Sequence, residues 1–209
     1  MPEPAVLKGL YAITPDDNLL PRLSALVGSA LAGGVKFVQY RNKTAPAPLK
    51  RAQAAELLRI CRAAGARLIV NDDLWLALEI GADGVHLGRE DGDIGMARQA
   101  LGAKRILGVS CYDDFARAAA ARDAGADYIA VGSVFASATK PAATRASLQL
   151  LADVKRKLPL PVAAIGGITI ANAGQVIGAG ADMVAVITDL FDAMNIQERA
   201  AAYQKLFEQ

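Results

Sequence analysis

The chain has 209 residues, of which 53% are hydrophobic and 5% aromatic, and its formal net charge is +2. So small a net charge gives no long-range field for a polyanion, which argues against nucleic acid as a partner. Two cysteines, Cys61 and Cys111, are too few for a disulfide scaffold. The first residues do not show the basic and then apolar pattern of an export leader, and no apolar stretch has the length of a membrane helix. We therefore expect a cytoplasmic protein that has no membrane partner.

Eight short apolar runs follow one another along the chain, and a segment with apolar residues at helical spacing comes after each of them. The runs are residues 8–13, 35–40, 68–70, 84–87, 106–109, 128–131, 162–165 and 183–186. Eight strand–helix units in a chain of this length predict an α/β fold, a single-domain (β/α)8 TIM barrel over residues 1–209. An open doubly wound sheet is the alternative.

The phrase Gly-Ala-Asp occurs at residues 81–83, 125–127 and 180–182, each time just before one of these runs. Glycine suits the left-handed cap that ends a helix, and aspartate favours the turn that follows. The phrase therefore predicts the junction between a helix and the next buried strand.

The carboxyl ends of the strands are where a barrel of this kind carries its active site. The second strand ends in Gln39, Arg41 and Lys43, whose alternation puts them on one side while the chain stays extended. Two cations and an amide at one place predict a site for a multiply charged anion.

Carboxylates follow the third and fourth strands. Asn71 and Asp72 come after the third strand and Asp91 follows the fourth, and one or two acids together with substrate phosphates suit Mg²⁺. We expect Asp72 and Asp91 to be the metal ligands. The alternative is that these aspartates, or Asp73, cap the helices that follow.

The ends of two further strands, the fifth and the sixth, carry small polar groups. Ser110 follows the fifth strand and can donate to a phosphate oxygen, whereas His86, the only histidine, lies within a strand and is expected to be a buried, hydrogen-bonded residue. Cys111 is expected to be an inert thiol. The polar stretch 133–147, predicted to be a mobile loop, carries hydroxyls and a lysine that suit a phosphate grip; these are Ser137, Thr139 and Lys140.

A second anion site is predicted where the last two strands end. Gly167 lets the backbone approach an oxygen closely, and Ile187 and Thr188 open the loop after the eighth strand. A diphosphate with Mg²⁺ at the first site and a monophosphate here would form a natural pair.

In combination these motifs resemble the thiamine phosphate synthase family, over nearly the whole chain. The matching segments are Gln-x-Arg-x-Lys at 39–43, Asn-Asp at 71–72, residues 84–91, Gly-x-Ser at 108–110, Ser-x-Thr-Lys at 137–140, Gly-Gly at 166–167 and Ile-Thr at 187–188. The chain departs from the family pattern at Arg89 (usually Gln), at Cys111-Tyr112 (often Ala-His), at Ser137 (Thr) and at Thr188 (Ser).

The resemblance implies an enzyme that joins 4-amino-5-hydroxymethyl-2-methylpyrimidine diphosphate to 4-methyl-5-(2-hydroxyethyl)thiazole phosphate, with Mg²⁺ as cofactor. It implies catalytic roles for Lys43, Ser110 and Lys140 and Mg²⁺ ligation by Asp72 and Asp91. The implied substrate contacts are Tyr11, Gln39, Arg41, Lys43, Asn71, Ser110, Ser137, Thr139, Lys140, Gly167, Ile187 and Thr188, with Tyr11 as a wall of the pyrimidine pocket.

Two other functions are compatible with such a barrel. One is the related thiazole tautomerase, an isomerase that needs a histidine near residues 111–112 and lacks the diphosphate clamp. The other is a catalytically inactive barrel that binds thiamine intermediates. The sequence also leaves a homo-oligomer open.

Overall fold

The computed structural model describes residues 7–136 and 144–208. Eight parallel strands close into a barrel in chain order, and β8 pairs with β1. The strands are β1 (Gly9–Ile13), β2 (Phe37–Tyr40), β3 (Arg67–Asn71), β4 (Gly84–Leu87), β5 (Ile106–Tyr112), β6 (Tyr128–Val131), β7 (Val162–Ile165) and β8 (Met183–Val186). The closed barrel confirms the predicted fold and excludes the open doubly wound sheet.

Helices surround the barrel, one or more after each strand. Within the described ranges they are α1 (Leu20–Ala32), α2 (Ala47–Ala63), α3 (Leu74–Ile80), α4 (Ile94–Leu101), α5 (Phe115–Asp123), α6 (Leu148–Lys157), α7 (Ala173–Gly178), α8 (Thr188–Phe191) and α9 (Ile196–Lys205). Each of these helices is too short or too polar to cross a membrane.

The predicted strand bounds agree for β4, β6, β7 and β8, and they differ where polar residues lie at a strand end. The prediction ends the fifth strand at 109, whereas β5 continues to Tyr112 through a register shift between Ser110 and Tyr112. Asn71 likewise belongs to β3 rather than following it. Polar side chains interrupt the apolar pattern at these positions, but the backbone still pairs with the neighbouring strand.

Alternation along the strands separates two apolar layers. Ile69 faces the barrel interior, while Leu68 and Val70 pack outwards against the helices. The interior is filled by a mixed set of aromatic and aliphatic side chains, which are Leu7, Tyr11, Ile13, Phe37, Ile69, Ile106, Tyr128, Ala130, Ala163, Met183 and Ala185. The barrel is thus a packed core, as expected for this fold.

The Gly-Ala-Asp phrase marks helix-to-strand junctions as predicted. The glycines of its three copies adopt left-handed conformations, with φ of 69°, 88° and 104°. Each aspartate also accepts a hydrogen bond of 2.7–2.8 Å from a backbone N–H near the start of the preceding strand; the pairs are Leu68 to Asp83, Leu107 to Asp127 and Val162 to Asp182. The phrase therefore joins neighbouring strands at the amino-terminal end of the barrel.

Candidate active site

A cation and two carboxylates meet where β2, β3 and β4 end. Lys43 Nζ lies 3.1 Å from Asp72 Oδ2, and both side chains are partly exposed. The Asp72 carboxylate lies within hydrogen-bonding reach of Asp91, whose Oδ2 also accepts from the Gly88 N–H at 2.7 Å. Three residues that sequence patterns put at separate strand ends therefore form one cluster.

The helix caps in this region are the neighbouring aspartates. Asp73 is the N-cap of α3 and accepts from the Leu76 N–H at 2.8 Å, and Asp93 is the N-cap of α4 and accepts from the Met96 N–H at 2.8 Å. The capping alternative therefore does not apply to Asp72 or Asp91, which leaves both carboxylates available to a ligand.

The chemistry of this pair fits Mg²⁺. Burial raises the pKa of Asp91, and the adjacent Asp72 carboxylate raises it further because the two negative charges repel each other. Among the described residues no cluster of three or more His, Cys, Asp or Glu side chains is suited to a metal. A hard cation held by two carboxylates would complete its shell with water and substrate oxygens, which is the usual arrangement for Mg²⁺.

Asp16 is an organising residue that the sequence analysis missed. Its Oδ1 lies 3.0 Å from Arg41 Nη1 and accepts from the Lys43 N–H at 2.7 Å. Thr14 Oγ1 donates to Arg41 O and accepts from Arg41 N, both at 2.8 Å. The loop after β1 therefore holds the two predicted clamp cations. Thr-Pro-Asp-Asp directly after the first strand is the signal that could have pointed to it.

Tyr11 lies at the centre of β1, which continues to Ile13. Its ring is buried in the barrel interior, and its hydroxyl accepts a hydrogen bond of 2.8 Å from Gln39 Nε2. The Tyr11 hydroxyl also lies 2.7 Å from that of Tyr128, a residue that the sequence analysis did not select. Gln39 is therefore joined to the barrel interior rather than to Arg41.

His86 is buried with both ring nitrogens occupied, as expected for its position in a strand. Nδ1 lies 2.9 Å from the Tyr128 hydroxyl and Nε2 lies 2.8 Å from Ser110 Oγ. Burial lowers the pKa of His86 to about 4, so the ring is neutral at physiological pH. Ser110, half-buried in β5, is the point at which this interior network reaches the mouth of the barrel.

Two of the departures from the family pattern contact each other. The Arg89 guanidinium lies 5.0 Å from the centre of the Tyr112 ring, and the Arg89 N–H donates to the Tyr112 hydroxyl at 3.2 Å. Arg117 lies on the same ring at 5.9 Å and donates to the Ser110 carbonyl at 2.7 Å. Cys111 is buried, and burial raises the pKa of its thiol to about 12, as expected for an inert cysteine.

The loops after β7 and β8 lie side by side. Gly167 adopts φ 60°, and a Cβ there would lie 2.1 Å from the Ala136 carbonyl oxygen, so this position needs glycine. Thr188 is the first residue of α8, directly after Ile187. The next residue, Asp189, accepts from the Ile170 N–H at 3.3 Å and thereby links the two loops.

Ser137, Thr139 and Lys140 lie outside the described residues. The cluster at the ends of β2, β3 and β4 borders a cleft of about 530 Å³. Lys43, Asp72 and Asp91 line one part of this cleft, and the exposed side chains of Trp75 and Met96 line another.

Comparison with known proteins identifies the family. Residues 10–190 match the model of the TMP-TENI family, described as thiamine monophosphate synthase. The chain is 55% identical over 202 residues to the thiamine-phosphate synthase of Aromatoleum aromaticum, covering 97% of each chain, and 53% identical over 199 residues to that of Thiobacillus denitrificans, covering 95% of this chain and 94% of that one.

A solved structure gives the same result. The thiamine phosphate pyrophosphorylase from Pyrococcus furiosus superposes with a TM-score of 0.87 at 33% identity, covering 97% of this chain and 96% of that one. The match to the family model over most of the chain and the identity to these relatives lead to one conclusion: the chain belongs to the thiamine monophosphate synthase family of enzymes.

Proposed function

We propose that this chain transfers the pyrimidinylmethyl group of 4-amino-5-hydroxymethyl-2-methylpyrimidine diphosphate to the nitrogen of 4-methyl-5-(2-hydroxyethyl)thiazole phosphate, releasing diphosphate and thiamine phosphate. The observation that carries this proposal is the contact between Lys43 and Asp72 beside Asp91, in a chain 55% identical to a thiamine-phosphate synthase. A cation next to a carboxylate pair suits a diphosphate that arrives with Mg²⁺.

The proposed reaction begins with departure of the leaving group. The bond between the methylene carbon and the diphosphate oxygen breaks, its electron pair stays on the diphosphate, and a pyrimidinylmethyl cation remains. Arg41 and Lys43 stabilise the negative charge that develops on the leaving oxygen, and the Ser110 hydroxyl donates a hydrogen bond to it. A Mg²⁺ ion held by Asp72 and Asp91 would add electrostatic stabilisation of the same charge.

The second step needs no proton transfer. The lone pair of the thiazole nitrogen forms the new bond to the methylene carbon, and the two rings must be held in contact for this to happen. A neutral His86 with both nitrogens occupied agrees with a reaction that needs no general base. The adjoining loops at Gly167 and Thr188 would hold the thiazole phosphate on the far side of the mouth.

The isomerase alternative has less support from the site. It needs a histidine near residues 111–112, where the chain has a buried thiol and a tyrosine engaged with Arg89. The clamp residues that an isomerase lacks are present. An inactive binding protein would not need a cation and two acids grouped at the leaving-group position.

One incubation tests the proposal. The purified chain with both substrates and Mg²⁺ should release diphosphate and thiamine phosphate in equal amounts, and omission of either substrate should prevent thiamine phosphate formation. EDTA should stop turnover and added Mg²⁺ should restore it. Binding of both substrates without product would support the inactive barrel, and rearrangement of the thiazole substrate alone would support the isomerase.

A further inference from the structure

A continuous hydrogen-bonded chain crosses the barrel interior and ends at the mouth. It runs from Gln39 Nε2 to the Tyr11 hydroxyl (2.8 Å), to the Tyr128 hydroxyl (2.7 Å), to His86 Nδ1 (2.9 Å), and from His86 Nε2 to Ser110 Oγ (2.8 Å). Gln39, Tyr11, Tyr128 and His86 are all at most 5% exposed. These hydrogen bonds are therefore shielded from water as far as Ser110.

The first link fixes the direction of the next ones. An amide nitrogen donates and cannot accept, so the Tyr11 oxygen accepts from Gln39. Among the described residues, the Tyr11 hydroxyl has one further partner, the Tyr128 oxygen, and it must donate there because a buried hydroxyl proton with no acceptor costs about 1–3 kcal/mol. By the same argument, Tyr128 donates to His86 Nδ1.

The tautomer of His86 follows. A neutral imidazole carries one proton, and if Nδ1 accepts from Tyr128 the proton must be on Nε2. Nε2 then donates to Ser110 Oγ, so the serine oxygen accepts and its own proton is not used by the histidine. With the opposite tautomer, Ser110 would donate to Nε2 and would have no proton to offer an anion.

A glycine in the neighbouring strand leaves space for the Tyr128 ring of this hydrogen-bonded network. A Cβ at Gly108 would lie 2.1 Å from Cζ of the Tyr128 ring and 2.3 Å from its hydroxyl oxygen, so a glycine in β5 creates the space for the phenol. The Tyr128 ring also stacks on His86, with 5.5 Å between centroids, and packs edge-on against Tyr11 at 5.8 Å. Packing therefore holds each hydroxyl in place for its partner.

We propose that Tyr128 and His86 are positioning residues that hold Ser110 as a hydrogen-bond donor toward the departing diphosphate, with His86 fixed as the Nε2-protonated tautomer. The consequence for catalysis rests on the proposed function, whereas the tautomer does not. Ser110 would then meet the leaving group with its proton already oriented, which is the preorganisation that electrostatic catalysis requires.

The first test is the ¹⁵N NMR spectrum of the protein labelled at histidine, after removal of any histidine tag. Because the chain has one histidine, the imidazole region reports His86 alone. We expect a protonated, pyrrole-type Nε2 and an unprotonated, pyridine-type Nδ1 at neutral pH. A protonated Nδ1, a mixture of tautomers or a doubly protonated ring would overturn the proposal, whether or not the chain has synthase activity.

The second test is a double-mutant cycle. Tyr128→Phe keeps the ring but removes the donor to Nδ1, so the spectrum should show both tautomers and kcat should fall about tenfold, with KM for the thiazole phosphate unchanged. In a Ser110→Ala background the same change should cost nothing further. Equal losses in both backgrounds would mean that Tyr128 does not act through Ser110.

Tyr40→Phe is the matched control. Its buried hydroxyl donates to Gln53 Oε1 at 2.9 Å, away from the interior chain. It should leave the His86 tautomer unchanged. A tautomer shift in this variant would show that loss of any buried phenol hydroxyl disturbs the barrel and would remove the specific role of Tyr128.

Discussion

Lys43 Nζ lies 3.1 Å from Asp72 Oδ2, so the cation proposed to hold the diphosphate contacts a carboxylate proposed to hold the metal. The Lys43 side chain is half exposed, with a relative accessibility of 50%, and this pair alone contributes little to folding stability. The pair matters for the geometry of the site, because it holds the ammonium group of Lys43 beside the carboxylate of Asp72.

Lys43→Ala should therefore affect the chemical step more than folding. We expect kcat to fall about 100-fold to 1,000-fold, because a donor to the charge that develops in the transition state is lost. KM for the thiazole phosphate should stay close to the wild-type value. Steady-state kinetics with each substrate varied in turn measure both, and equal losses of turnover and thiazole-phosphate affinity would contradict the division into two anion sites.

Lys50→Ala is the control for charge. Lys50 lines the same cleft as Lys43, and its removal lowers the local positive charge by the same amount. If Lys50→Ala reduced kcat as strongly as Lys43→Ala, the effect would be one of general charge and not of the contact with Asp72.

In the neighbouring pairs Asp72/Asp73 and Asp91/Asp93, we expect the first aspartate to affect Mg²⁺ binding and the second to affect helix stability. Asp72→Asn and Asp91→Asn should each weaken the apparent affinity for Mg²⁺ by at least about 100-fold, the upper end of the cost of losing an outer-shell partner. Asp73→Ala and Asp93→Ala should leave the Mg²⁺ dependence of turnover unchanged and lower the free energy of unfolding by about 1 kcal/mol through loss of a helix cap. Activity titrated against Mg²⁺, together with urea unfolding, distinguishes them; a changed Mg²⁺ dependence in the cap variants would reverse the assignment.

These aspartates also illustrate how far sequence patterns reach. The closed barrel could be predicted because short apolar runs, some preceded by Gly-Ala-Asp junctions, recur along the chain, and position after a strand was enough to predict that Asp72 and Asp91 lie at the same end of the barrel. The sequence could not predict which aspartate caps a helix, because that depends on the residue at which the helix begins. It also depends on the local backbone conformation, and Asp72 adopts φ 64°.

The hydrogen-bonded network of the barrel interior was harder to predict from the sequence. Tyr128 is distant from Tyr11 in the sequence, and the two side chains meet only because β1 and β6 belong to one closed barrel. Single-sequence patterns give the direction of a side chain along its own strand but not its partner across the barrel. Asp16 was missed for a related reason, since its partners, Arg41 and Lys43, lie on the next strand's loop.

Gly167→Ala should impair the thiazole-phosphate site. A Cβ would lie 2.1 Å from the Ala136 carbonyl oxygen, and φ 60° is unfavourable for alanine, so the loop must move. We expect KM for the thiazole phosphate to rise about tenfold or more, as for loss of a backbone hydrogen bond to a charged group. Gly174→Ala, in α7 with nothing within 4 Å of its Cβ, is the control and should be neutral or stabilising. An unchanged KM in Gly167→Ala would remove this loop from the site.

Asp17 gives a prediction for acid stability. Its buried carboxylate lies 2.5 Å from Arg22 Nε and accepts from the Leu19 N–H at 2.8 Å. The hydrogen bond from Arg22 lowers the pKa of Asp17 in the folded state, so the unfolded chain binds a proton first as the pH falls. The stabilisation is complete above the unfolded pKa of about 3.9 and is lost as the pH falls through the lower folded value. Asp17→Asn should therefore flatten the plot of unfolding free energy against pH below about pH 5. Parallel acid limbs for wild type and Asp17→Asn in urea titrations would show that Arg22 does not lower the pKa of Asp17.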